Sequence, residues 1–161
     1  MNQILLRTIQ LSDNPAIANI VRTSLTEFGV NKPGTVYFDK STDHLYELFQ
    51  KKRSVYFIAE KNEELIGGAG IYPSDGLPED VCELVKMYLK KEARGLGLGR
   101  ELINKCLGFA TSTGYKKVYL ETFPELEKAV SVYKKFGFSN LDGPMGNTGH
   151  FGCDIWMVKE L

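Results

Sequence analysis

Three glycines at alternate positions, in Arg94-Gly95-Leu96-Gly97-Leu98-Gly99-Arg100, constrain this chain more than any other feature. An apolar run from Val81 to Lys90 predicts a strand just before them. Just after them, Leu98, Leu102, Ile103, Cys106, Leu107 and Ala110 recur at spacings of three and four. That period predicts a helix over Leu98 to Thr113 with one buried stripe, capped by Gly114. A strand entering a helix through glycine exposes backbone N–H groups at a helix N-terminus, a setting that suits an anion, most often phosphate. A tight turn with no ligand uses glycine equally well. The turn lacks the Gly-Lys-Ser/Thr ending of a P-loop. It also puts Arg100 or Leu102 where a dinucleotide fingerprint needs its last glycine, although Glu121 imitates the ribose-binding acid.

The remaining segments alternate in period. Strands are predicted at Ile4 to Ile9, Ser54 to Glu60, Leu65 to Tyr72, Lys116 to Thr122, Phe138 to Leu141 and Cys153 to Lys159. Asn14 is the candidate N-cap, before Pro15, of a helix running to Phe28 and stopping at Gly29. A second short helix is predicted over Thr42 to Lys51. Thr122 and Glu125 have capping-box spacing ahead of a helix whose face carries Leu126, Ala129, Val130 and Tyr133 and which ends at Gly137. Gly67, Gly68 and Gly70 weaken the third strand and imply close approach by another backbone or a ligand. The order is that of an α/β fold with a mixed sheet: early hairpins, then one crossover helix between the fourth and fifth strands. With no linker or repeat in 161 residues, residues 1–161 are expected to form a single domain.

Lys plus Arg and Asp plus Glu both number 20, so the chain has no basic excess for nucleic acid. Cys82, Cys106 and Cys153 are odd in number and scattered; they read as reduced thiols, which suits the cytoplasm. The first twenty residues lack a signal-peptide core, and no apolar run is long enough for a membrane span. No metal is expected, because two His and three Cys show no ligand spacing.

Arg94-x-x-Gly97-x-Gly99 resembles the pyrophosphate-binding motif of the GNAT N-acetyltransferases. Glu83-Leu84-Val85-Lys86-Met87-Tyr88-Leu89 before it, and the segment from Ala129 through Tyr133 to Gly137-Phe138 after it, are similar to the family's neighbouring segments. Leu126 stands where many members carry Asn. The resemblance covers nearly the whole chain. It implies a GNAT-like mixed, mostly antiparallel central sheet of about seven strands with four flanking helices, and acetyl-CoA as co-substrate. The backbone of Met87, Tyr88 and Leu89 would pair with the pantetheine arm where the fourth and fifth strands splay. Arg94, Gly95, Leu96, Gly97, Leu98, Gly99 and Arg100 would hold the pyrophosphate.

Acetylating an amine requires a neutral nucleophile, and an alkyl ammonium has a pKa of about 10. Glu83, eleven residues before Arg94, resembles the catalytic Glu of the family's histone-acetylating members; burial between Cys82 and Leu84 would raise its pKa. An exposed strand carboxylate is the plainer reading of the same residue. Glu121 is the reserve base or an orienting group for the acceptor, and His150 is a third candidate. The departing thiolate needs a proton, and the motif match assigns that to Tyr133, although its apolar stripe equally suits packing. Tyr37, Phe38, Tyr72 and His150 mark the acceptor's neighbourhood. A small-molecule amine is the expected acceptor, with no nucleic acid or membrane partner; a homodimer is compatible with this reading. The alternatives are a non-catalytic acyl-CoA sensor of the same fold and a protein or peptide N-acetyltransferase.

Overall fold

The computed structural model describes residues 3–161. Seven strands form one sheet in the order β1-β2-β3-β4-β5-β7-β6: β1 Ile4–Thr8, β2 Val55–Lys61, β3 Glu64–Tyr72, β4 Val81–Leu89, β5 Lys117–Thr122, β6 Ser139–Leu141 and β7 Ile155–Glu160. Only β4 and β5 run parallel, joined by the crossover helix α3, Leu98–Ser112. The other helices are α1 Asn14–Glu27, α2 Leu45–Leu48 and α4 Glu127–Lys135. The mixed, mostly antiparallel sheet with four helices is the architecture expected. Among the described residues, no helix is long and apolar enough to cross a membrane.

Alternation along β2 divides the interior in two. Phe57 and Ala59 join the core built with α3, while Tyr56 and Ile58 join the core built with α1. On α1, Ile17, Val21 and Leu25 lie one turn apart and are fully buried. Each contributes about 1.5–3 kcal/mol by leaving water. All three cysteines are buried free thiols.

Local boundaries differ from expectation in three places, and for Asn14 and Thr122 the cause is a distant partner. Asn14 is inside α1 rather than its cap: its amide donates to Glu47 at 2.8 Å and accepts from the Tyr46 N–H at 2.8 Å, tying α1 to α2. The predicted helix over 42–51 is α-helical only at Leu45–Leu48, after a tighter 3-10 turn at Lys40–His44. Thr122 stays in β5, paired with Ile155 of β7, so the capping box with Glu125 does not form and α4 starts at Glu127.

The β3 glycines open the functional end of the sheet. A Cβ on Gly68 would lie 2.5 Å from the Tyr56 ring, and one on Gly67 would lie 2.5 Å from the Tyr88 carbonyl oxygen. The close approach is therefore by an aromatic ring and by β4 itself. With its ring in that space, the Tyr56 hydroxyl donates to the Lys86 carbonyl at 2.7 Å. At this point β4 bulges: Gly68 pairs with Tyr88 but Gly70 with Val85, and Lys86 has φ 50°. A bulge bends its strand. Pairing between β4 and β5 covers only Val81 to Glu83.

Candidate functional site

The glycine turn is a row of unused donors. Gly95 and Gly97 have φ of 77° and 82°, conformations that L side chains seldom adopt. Within the described residues, no backbone N–H from Gly95 to Arg100 has a hydrogen-bond acceptor. No atom lies within 4 Å of a Cβ built on Gly95 or Gly97, so the turn is uncrowded on that side. Gly99 acts differently: its missing Cβ would sit 3.3 Å from Met87, and its absence lets α3 lie close on β4. The Arg94 side chain does not join the row. Its guanidinium donates to the Leu89 carbonyl at 3.1 Å and pairs with Glu27 at 2.8 Å, fastening the turn to α1. Leu96 and Arg100 are exposed and Leu98 is buried.

Beyond Glu83, β4 has no strand partner on its β5 side, leaving the backbone of Met87, Tyr88 and Leu89 beside a gap. Tyr133 of α4 is buried against Phe138, and its hydroxyl lies 3.8 Å from the Met87 sulfur. Burial pushes the phenol well above its ordinary pKa, so it stays protonated.

At the end of the gap, three loops meet over a charged cluster. Glu83 is 2% exposed and accepts from the Ser74 hydroxyl at 3.0 Å. Glu121 on β5 accepts from Thr148 and, at 2.7 Å, from the Tyr119 hydroxyl. His150 lies between two carboxylates, with Nε2 3.3 Å from Asp39 and Nδ1 3.7 Å from Glu121. Lys86 Nζ is 3.9 Å from the same Asp39 oxygen. The last loop is pinned by Asn147 donating to the Asp75 carbonyl at 2.8 Å and Gly152 donating to the Gly34 carbonyl at 2.9 Å.

Burial, and secondarily the nearby Glu121 charge, raises Glu83 from 4.5 to about 7. Burial also works against charge on His150, but Asp39 and Glu121 outweigh it and raise the imidazole from 6.5 to about 9. Asp39 is held well below the carboxylate range, first by His150 and then by Lys86. Burial opposes charge on Glu121 too, yet His150, Thr148 and Tyr119 bring its pKa below the ordinary value. The imidazolium and two carboxylates thus compensate one another.

Of the residues singled out in the sequence, Glu83, Glu121 and His150 converge, with ligand-type atoms within 4.8 Å of one another. Such a set offers ligand atoms that sequence spacing did not reveal, although His150, held protonated by Asp39 and Glu121, already offsets negative charge within it. Tyr72 packs on Phe49 and Tyr37 on Phe38; neither phenol makes a hydrogen bond to the cluster. Asp39, Ser74, Lys86, Tyr119 and Thr148 were not anticipated. Only Lys86 left a signal, a charge inside the otherwise apolar run Leu84 to Leu89.

Both raised groups bind a proton in the folded state that the unfolded chain has released. The stability contributed by His150 is therefore complete below pH 6.5 and lost as pH rises through about 9; that linked to Glu83 is complete below 4.5 and lost through about 7. Urea unfolding from pH 6.5 to 9 should show stability falling by roughly 1–3 kcal/mol, with a smaller fall in His150→Gln. A flat parent profile would be incompatible with a charged, doubly paired His150.

Residues 17–138 match the acetyltransferase (GNAT) family. The uncharacterized N-acetyltransferase YjgM of Escherichia coli is 37% identical over 157 residues, 97% of this chain and 94% of that protein. A GNAT-family acetyltransferase from Staphylococcus aureus has the same fold, with a TM-score of 0.85 at 17% identity over 98% of this chain and 99% of that one. So does the PaiA N-acetyltransferase of Thermoplasma acidophilum, solved in complex with coenzyme A, with a TM-score of 0.77 at 19% identity over 99% of both chains.

Proposed function

The chain belongs to the GNAT acetyltransferase family, and from that premise we propose that it moves an acetyl group from acetyl-CoA to the amine of a small molecule by direct attack. The observation that carries this reading is the row of unused N–H donors from Gly95 to Arg100, continuous with the unpaired edge of β4 that ends at buried Glu83.

The residues suit acetyl-CoA in three places. The donors of the turn and the α3 N-terminus receive the pyrophosphate. The β5-facing side of Met87 to Leu89, which has no strand partner, pairs with the pantetheine amides as a further strand would, with the Leu89 carbonyl shared with Arg94. Arg94 positions the turn through Glu27 and Leu89, and Tyr133 stands beside Met87 where the arm ends. When bound, acetyl-CoA supplies the thioester carbon that the amine attacks. Glu83, with a pKa of about 7, is ionised often enough at neutral pH to take the proton of the acceptor ammonium. Glu121 and His150 orient the amine beside it. Tyr133 gives its proton to the departing sulfur as the C–N bond replaces the C–S bond. Tyr37 and Tyr72 border the acceptor side.

The test combines acetyl-CoA with a panel of amines and reads free CoA thiol. Release that depends on an amine is the expected result; binding of acetyl-CoA without release from any amine would make this a sensor domain. Gly97→Val tests the cofactor assignment, because a β-branched side chain is strained at φ 82° and would reshape the turn that presents the donors. Calorimetry should show acetyl-CoA affinity falling at least about 30-fold, the loss expected when a buried charge-assisted contact is removed. Unchanged affinity in a folded Gly97→Val protein would sink the assignment.

A further inference from the structure

Lys86 holds an unusual position within the cluster. Its φ of 50° is uncommon for a residue with a side chain. The bulge that imposes this conformation is held by Tyr56. The side chain is 4% exposed, and its nearest carboxylate, Asp39, is 3.9 Å away, too far for a hydrogen bond. Among the described residues, every side-chain nitrogen or oxygen sealed from solvent has a hydrogen-bond partner. Lys86 Nζ has none, so it keeps a slight contact with solvent beside the cluster. A buried amine without hydrogen bonds to protein is costly whether or not it is charged, which makes its retention at a site informative. Burial lowers its pKa, with Asp39 and Glu83 opposing, so a further anion would favour the charged form.

The cluster is ordered by sign. Glu121, His150, Asp39 and Lys86 follow one another, and Glu83 stands beside them. His150 and Lys86 flank the same Asp39 oxygen. A polyamine or aminoglycoside would bring extra positive charge against the His150 imidazolium and disfavour the charged form of Lys86 further. A monoamine would leave the Lys86 donors unused. An acceptor that carries an anion near its amine matches both ends. We propose that the acceptor is a free amino acid, whose carboxylate accepts hydrogen bonds from Lys86 Nζ while its amine faces Glu83. This rests on the acetyl transfer proposed above and names its substrate class.

The experiment compares free amino acids with their amides and with the amines left by decarboxylation. Parent kcat/KM should favour the acid over both partners by at least about 30-fold. The comparison is conservative for the amide, whose amine is less basic and more often neutral. Lys86→Met should collapse the ratio to within about threefold, chiefly through KM, and Lys86→Arg should restore part of it. Calorimetry with CoA-loaded protein measures acid binding independently of turnover, and acetyl-CoA affinity and melting temperature report whether each variant folds. Equal kcat/KM for acid and amide, or an acid preference that survives Lys86→Met, overturns the proposal and leaves acetyl transfer standing. Lys86-dependent binding of acids with no CoA release supports the carboxylate site and removes the enzymatic reading instead. Failure of every acid to bind or react overturns the proposal.

Discussion

Glu83→Gln is expected to lower kcat by about 10²–10⁴-fold at pH 7.5, the usual contribution of a general base. Gln keeps the side-chain volume and can still accept from Ser74, so lost rate is separable from lost structure. The pH profiles should differ in shape as well as height. With Glu83 at about 7, parent kcat/KM rises through neutrality as the carboxylate ionises. The variant lacks that limb, and its deficit narrows as pH approaches an acceptor amine pKa of about 10, where the nucleophile is already neutral. Stability should move the other way above pH 7, because the parent then buries a charge that Gln does not carry. A pH–rate profile superimposable on the parent's would transfer the base role to Glu121, to His150 or to solvent.

Tyr133→Phe should reduce kcat by about 10²–10⁴-fold while leaving acetyl-CoA affinity and melting temperature near the parent's. The substitution keeps the ring that packs on Phe138 at 5.9 Å and removes only the hydroxyl beside the Met87 sulfur. That hydroxyl is a poor proton donor to water, because burial raises its pKa, but a thiolate formed in the same low-dielectric gap needs a proton more urgently. A residue there only for packing predicts the reverse pattern: a small rate effect in Phe, and in Ala a stability loss of about 3–5 kcal/mol with rate following the folded fraction. Turnover and thermal unfolding of both variants, with one active acceptor and chemistry shown to limit the rate, distinguish the two. Parent-like turnover in Tyr133→Phe would remove the residue from the mechanism.

Much of the scaffold could be read from the chain because its causes are local. The positive φ at Gly97, the three-and-four spacing of α3 and the stop at Gly114 each depend on residues within a few positions. The short motifs around Arg94 and Tyr133 likewise marked where the turn and the phenol stand. Local rules failed where a polar side chain had a better partner far away. Asn14 spends its amide on Glu47, and Arg94 spends its guanidinium on Glu27.

The charged cluster belongs wholly to the second kind. His150 meets Asp39 across 111 positions, and Glu83 meets Glu121 only because β4 and β5 run parallel and then part. No spacing rule reaches so far. The sequence by itself determined the sheet, the glycine turn and the residue types available for acid–base work. Tertiary structure alone decided that Glu83 has a pKa raised to about 7 and His150 one raised to about 9, and that Lys86 is buried beside Asp39 without a hydrogen bond. Desolvation and Coulomb interaction act through space, and their distances exist only once the loops at residues 30–40, 73–80 and 142–153 have closed over the end of the sheet.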